Sequence, residues 1–309
     1  MMNEKLTQGT NKGTLIGILN EKKLELIDSF VPNTSPRVSC KTIRGHIIVS
    51  TDNGDFRIEV YQNSKTKTGV DNKMYTAVET LYTDYISKVD ASKNSALTAD
   101  VISVRVQADV NDYYNDKAKK MVSGIRFKFN GCSRTNDTEL TTGLDLQGFI
   151  WSVKPELKDE EETGRVLVQF INFGYEEKAL PFILVVSKAN NEKWFDDNFK
   201  AGSSVELKIQ PTYVSVGAKK QKVAYGEDVK TSDGYDVLEL LVSGAYEIIE
   251  DEENEFFYDS KRVKEAMKER KVLLEQIEAD GKKGKKPAVK AKVSAQEATD
   301  AFDEDETPF

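Results

Sequence analysis

The order of strand-like and helical segments constrains this chain more than any other feature, because one succession is spelled out twice. Ile43 to Ser50 and Asp55 to Tyr61 are alternating, β-branched runs joined at Asp52-Asn53-Gly54, a good hairpin turn. Met74, Val78, Leu81, Tyr82 and Tyr85 recur at helical spacing, which predicts a helix over 74–88. Val101 to Val110 and Val122 to Asn130 follow as strands around a polar excursion. Between Gly13 and Gly131 the order is three strands, a helix and two strands.

The same order recurs downstream. Leu144 to Val153, Arg165 to Phe173 and Ala179 to Ser187 read as strands, Asn191 to Phe199 as a short helix, and Ser204 to Val216 and Tyr235 to Ile249 as two long strands. Five strands with a helix between the third and fourth is the succession of an OB-fold, a small barrel that binds oligomers on one face and between its loops. The expected fold is therefore mainly β. Two tandem OB-fold-like five-stranded barrels, residues 1–135 and 136–250, precede an amphipathic helix at 251–280 with Val263, Met267, Leu273, Leu274 and Ile277 on its apolar stripe. Residues 281–309 complete the chain as a six-lysine linker, GKKGKKPAVKAK, and a disordered acidic tip.

A net charge of −8 argues at first against a nucleic-acid partner, since phosphate affinity comes from Lys and Arg. The distribution of the charge reverses that inference. Residues 250–309 hold 17 acids and 12 bases, leaving 35 acids and 32 bases for the rest, so most of the excess lies in the last fifth. No apolar run approaches the roughly 18 residues of a membrane span, and no charged-then-apolar leader opens the chain. A soluble cytoplasmic protein without membrane partners is expected. Two separated cysteines, Cys40 and Cys132, fit a reducing compartment.

The terminus carries the sharpest functional signal. Asp303-Glu304-Asp305-Glu306-Thr307-Pro308-Phe309 places carboxylates without an opposing base ahead of one rigid apolar tip. Phe309 suits a small apolar pocket on a partner, its α-carboxylate an Arg or Lys, and the acids a basic rim, while Pro308 keeps the approach extended. These residues resemble the tails of bacterial and phage single-stranded DNA-binding proteins, which end in Pro-Phe and recruit replication and repair enzymes. Thr307 departs from the resemblance, standing where an apolar residue often precedes the proline. The resemblance implies single-stranded DNA as ligand, replication and recombination proteins as partners, and a bacterial host cell if the chain is phage-encoded; the tip's string of negative charge is further expected to compete with DNA for the binding cleft.

Binding a single strand needs rings for the bases and cations for the phosphates. Between the last two strands of the first barrel lie Tyr113, Tyr114, Lys117, Lys119 and Lys120; the same slot of the second holds Tyr213, Lys219, Lys220, Lys222 and Tyr225. On the strands, Arg44, Arg57 and Tyr61 fall opposite Ile43, Ile47, Ile58 and Val60, hence outward. Trp151, Arg165 and Phe173 are weaker candidates in the second barrel, where aromatics are more often core, and Trp194 and Phe195 are expected to be packed.

Catalytic signals are missing. His46 is the only histidine and has no nucleophile pattern beside it; no phosphate-binding loop is present, and Asp159-Glu160-Glu161-Glu162 reads as solvated. Cys40, His46 and Cys132 lack the close spacing of a zinc site, so no metal or cofactor is expected. Two alternatives to DNA coating stand on the sequence: an acidic scaffold or DNA-mimic interaction protein, and a strand-annealing recombination factor. Oligomeric state is open.

Overall fold

The computed structural model describes residues 6–158, 160–216, 219–221, 229–232 and 234–283, with backbone alone for 219–221 and 229–232. Its first barrel contains β1 (Asn11–Phe30), β2 (Ser39–Thr51), β3 (Gly54–Asn63), β4 (Val101–Asn115) and β5 (Lys120–Arg134). β1 pairs with β2 and β4, β2 with β3, and β5 with β4, while β3 and β5 run parallel, closing the ring in the order β1-β2-β3-β5-β4. The second ring is built identically from β6 (Thr142–Lys158), β7 (Glu161–Phe173), β8 (Ala179–Val186), β9 (Ser204–Val216) and β12 (Tyr235–Ala245). There β8 and β12 form the parallel pair. Five strands closed with one parallel contact between the third and fifth is the OB topology, so the chain is mainly β with two OB-like barrels. A small hairpin, β10 (Lys219–Gln221) with β11 (Val229–Ser232), extends the connection between β9 and β12.

Alternation drives closure. Ile43, Ile47 and Val49 on β2 and Phe56, Ile58 and Val60 on β3 point inward and are buried. The two interiors form one apolar cluster, running from Leu15 and Leu19 through Leu144 and Leu146 to Leu240 and Val242. Continuity comes from a seam in which β1 and β6 pair antiparallel from Asn11↔Leu146 to Leu15↔Thr142. Amides close the junction beside it: Asn11 Nδ2 donates to Ala108 O at 2.8 Å, and Asn172 Nδ2 donates to Gln147 O at 2.7 Å and Thr10 O at 3.0 Å. These bonds satisfy buried polar groups that would otherwise cost about 1–3 kcal/mol each.

A second tie joins the barrels at the β2–β3 turn. Gly54 has φ +119°, and a Cβ there would lie 2.8 Å from Cβ of Tyr213 on β9. Glycine is required on both counts. The Tyr213 ring packs tilted at 58° against Phe56 with centroids 5.1 Å apart, its N–H donates to Asn53 O at 2.8 Å, and Asn53 Nδ2 donates to Thr142 Oγ1 at 2.9 Å.

The helices depart from the sequence reading in instructive ways. In place of one helix over 74–88 there are α1 (Lys73–Thr83) and α2 (Lys88–Lys93). Ser87 forms a capping box with Asp90, and Asp100 accepts the N–H of Ile86 at 2.8 Å, so the break leaves these donors satisfied outside a helix. Tyr82, expected on the apolar stripe, is exposed. In the second barrel α3 (Lys188–Asn190), a π-type turn (Asn191–Phe195) and α4 (Asp196–Asn198) pack Phe195 against Phe199 at 5.3 Å, with Trp194 edge-on.

The C-terminal helix α5 (Ser260–Lys282) is capped by Asp259, whose side chain accepts from the N–H groups of Lys261 and Arg262. Val263 and Ala266 bury themselves with Phe149, Ile171, Phe173, Ala179 and Tyr258 on the outside of the second barrel. Farther along, Arg270 meets Asp112 of β4 at 2.7 Å with both side chains over nine-tenths buried, and Gly281 abuts the Tyr114 ring. One helix thus clamps both barrels. None of the described helices is long and apolar enough to cross a membrane.

Candidate nucleic-acid interface

The register of the first barrel assembles a continuous outward face. On β2 and β3, Arg44 lies opposite Tyr61, His46 opposite Glu59 and Ile48 opposite Arg57, with Arg44, Arg57 and Tyr61 exposed and their neighbours Ile43, Ile47, Ile58 and Val60 buried. β3 passes the face to β5, where Glu59 pairs with Lys128, and β5 passes it to β4, where Arg126 pairs with Asp109. Period-two alternation then carries the same face along β4 through Asn111 to Tyr113.

Cations outnumber acids on this surface. Arg44 bonds Glu25 at 2.5 Å, Lys23 bonds Glu21 at 2.8 Å, and Arg126 bonds Glu59 at 3.2 Å. Arg57 has His46 as its neighbour at 3.1 Å and no carboxylate partner among the described residues. Burial, then the charge of Arg57, lowers the His46 pKa, which leaves a neutral ring able to accept the guanidinium hydrogen bond. The densest point is Asp109, a buried carboxylate met by Arg126 at 2.7 Å, Lys128 at 2.6 Å and, from the second barrel, Lys178 at 3.4 Å. Burial alone would raise its pKa; hydrogen bonds from Lys128 and Arg126 and the charge of Lys178 outweigh that and hold it at about 2. Six cations therefore face four carboxylates. Lys128 and Lys178 keep nearly half of their side-chain surface in solvent.

The β4–β5 arm continues this surface into solvent. Asn115 Oδ1 accepts the N–H groups of Lys117 and Ala118, both at 3.0 Å, and Lys119 takes a left-handed φ of 54° to complete the turn. Lys117, Lys119 and Lys120 are exposed, with no ion-pair partner among the described residues. Tyr113 is exposed on the cationic face. Tyr114, one residue on, points to the opposite face and lies half-buried against α5.

Among the described residues the second barrel does not repeat this arrangement, and several sequence candidates are corrected there. Phe173 is fully buried, its ring 4.7 Å from Tyr258, because α5 covers the face on which it points outward. Trp151 packs partly buried against the same cluster. Arg165 is neutralised by Glu239 at 2.7 Å and Glu156 at 3.4 Å. Tyr213 is spent on the inter-barrel contact with Phe56, and burial raises its pKa. Lys219 and Lys220 sit in β10, without described side chains. Lys222, Tyr225 and the tip residues Asp303, Glu304, Asp305, Glu306, Thr307, Pro308 and Phe309 lie outside the described residues.

Four cations of the face escaped the sequence reading: Lys23, Arg126, Lys128 and Lys178. Arg126 and Lys128 were recoverable, since Phe127 and Phe129 are inward residues of a strand and their neighbours must point out. Lys178 carried no such signal, because it reaches the face from the other barrel. No cluster of three metal-ligating side chains occurs among the described residues; Cys40 is buried, and burial pushes the Cys132 thiol up to about 11.

Residues 11–280 match the family model of YorF. The chain belongs to the YorF family. No curated protein matches this YorF-family chain in sequence. Among solved structures it is similar to the wild-type single-stranded DNA-binding protein of Thermus aquaticus, with 10% identity and a TM-score of 0.42 over 79% of this chain and 96% of that one. A deletion mutant of the same Thermus aquaticus protein gives 10% identity and a TM-score of 0.41 over 79% and 97%.

Proposed function

We propose that this protein binds single-stranded DNA with little sequence preference, chiefly through the outward face and β4–β5 arm of its first barrel. The observation that supports this most is the continuous surface from Arg44 and Tyr61 through Arg57, Lys128 and Arg126 to Tyr113, a run of cations with an exposed ring at each end. Phosphates would displace weakly held carboxylates there, and bases would stack on the tyrosines. The acidic tip, Asp303 to Phe309, recruits replication and recombination enzymes and competes with DNA for the same surface. In support, the tip carries four side-chain carboxylates with no base among them, whereas the arm exposes Lys117, Lys119 and Lys120, so the two are complementary in charge.

The test is fluorescence anisotropy of labelled oligo(dT), at low salt, with the full chain and with a chain lacking residues 300–309. Intrinsic tryptophan emission is a poor substitute, since Trp151 and Trp194 both pack away from the proposed face. Both chains should bind, the truncated one more tightly, and the difference should shrink as salt rises. If neither binds, DNA recognition is refuted and the acidic interaction reading takes its place; equal affinities would remove the competition alone. Phe309→Ala should leave DNA affinity unchanged and weaken capture of partner enzymes.

A further inference from the structure

At one end of the cationic face the strands open into a groove of about 280 Å³. It lies between the β1–β2 turn at Val31, Pro32 and Asn33 and the end of β3 with the loop that follows. Tyr61, about half exposed, is the ring within it. That volume is near the lower end, roughly 300 Å³, of pockets that hold small molecules, and suits a single base.

The polar groups around Tyr61 are not neutral between donors and acceptors. Asn72 Nδ2 donates to Gln62 Oε1 at 3.2 Å and to the backbone oxygen of Asn63 at 2.9 Å. Thr42 Oγ1 donates to Asn63 Oδ1 at 2.7 Å. Both side-chain oxygens are thereby engaged within the protein, while Nε2 of Gln62 and Nδ2 of Asn63 remain as donors. Lys65, held by Asp71 at 2.6 Å, and Lys67 add two ammonium groups, and no carboxylate lines the groove among the described residues. The loop is already shaped, with Thr66 N–H bonded to Val70 O and Gly69 N–H to Thr66 O, so little ordering cost opposes binding.

Bases differ in what they offer such a site. Thymine presents O2 and O4, two carbonyl acceptors, whereas adenine presents an amino donor beside its ring nitrogens. We propose that this groove holds one base of a bound strand against Tyr61 and selects a keto base, thymine over adenine, through the carboxamide donors of Gln62 and Asn63. The inference rests on the DNA-binding reading above and adds to it a modest base preference at one position of the strand.

The experiment compares anisotropy titrations of oligo(dT) and oligo(dA) with the full chain, reading the ratio of the two affinities. Flexible oligo(dT) is favoured by many surfaces, so the change in ratio on substitution is decisive. Gln62→Glu keeps the acceptor for Asn72 and replaces the donor, and should lower the thymine-to-adenine ratio at least threefold. Asn130→Asp, which adds the same charge on an exposed β5 position outside the groove, should leave the ratio unaltered. Tyr61→Ala should weaken both polymers by roughly tenfold, as loss of one stacking platform requires. A Gln62→Glu ratio equal to that of the unsubstituted chain, with DNA binding intact, overturns base selection and leaves the broader function standing. Absence of binding by the unsubstituted chain strikes the broader function itself.

Discussion

Replacing Asp109 by asparagine removes the one carboxylate that three cations share, and its effect can be sized from the ionisation of that group. Its pKa falls from 3.8 to about 2 on folding. A carboxyl group with a depressed native pKa contributes stability that is fully present above its unfolded pKa and disappears as pH falls through the native one. The difference corresponds to about 2.4 kcal/mol at neutral pH, about 1.3 at pH 3 and under about 0.5 at pH 2. Urea unfolding of the native sequence and Asp109→Asn, at matched pH, isolates this contribution, because every other titrating group cancels in the difference. The gap between the two proteins should therefore be widest from pH 5 to 7 and should roughly halve by pH 3. A gap that is flat across this range, or smaller than about 0.5 kcal/mol at pH 7, would refute the claim that Lys128, Arg126 and Lys178 are held by an ionised Asp109. Since the same substitution frees three cations, affinity for oligo(dT) should rise, provided the fold is retained.

Replacing Lys117, Lys119 and Lys120 together by glutamine should flatten the dependence of log affinity on log salt by about 2, at roughly 0.7 per phosphate contact; an unchanged slope removes the arm from the interface. Arg270→Met strands Asp112 in a buried site and should destabilise the protein by about 3–5 kcal/mol in chemical unfolding, with much of the loss recovered when Asp112→Leu is added. If the single substitution is silent, α5 is not latched to the first barrel. Gly54→Ala should lower the melting temperature by several times the shift of Gly69→Ala, because both have positive φ but only Gly54 abuts another side chain.

Much of the fold was legible because it rests on local pattern. Alternation in β2 and β3 identified the buried and exposed faces, so Arg44, Arg57 and Tyr61 could be placed outward before any tertiary contact was known. The helix at 74–88 was misjudged because periodicity registers apolar spacing, whereas the break at Ser87 is a matter of hydrogen-bond satisfaction by Asp90 and the distant Asp100. Site residues failed where a remote element decided their fate. Phe173 and Trp151 occupy outward strand positions, yet a helix from the far end of the chain covers them; Tyr213 resembles a loop aromatic, yet the β2–β3 turn of the other barrel closes over it. The cluster at Asp109 was invisible for the same reason, its third cation arriving from the neighbouring barrel. The repeated strand order also suggested equivalent surfaces. Identical topology has instead been decorated with unequal chemistry, charged on one barrel and helix-covered on the other.

The backbone seam between β1 and β6 bears on how a long ligand can be accommodated. Because main-chain hydrogen bonds weld the halves and the Gly54–Tyr213 contact braces them at a second point, they cannot swing like jaws around a guest. A polymer laid from the arm past Lys178 would meet a surface of set curvature, so the bending would fall to the polymer and not to the protein.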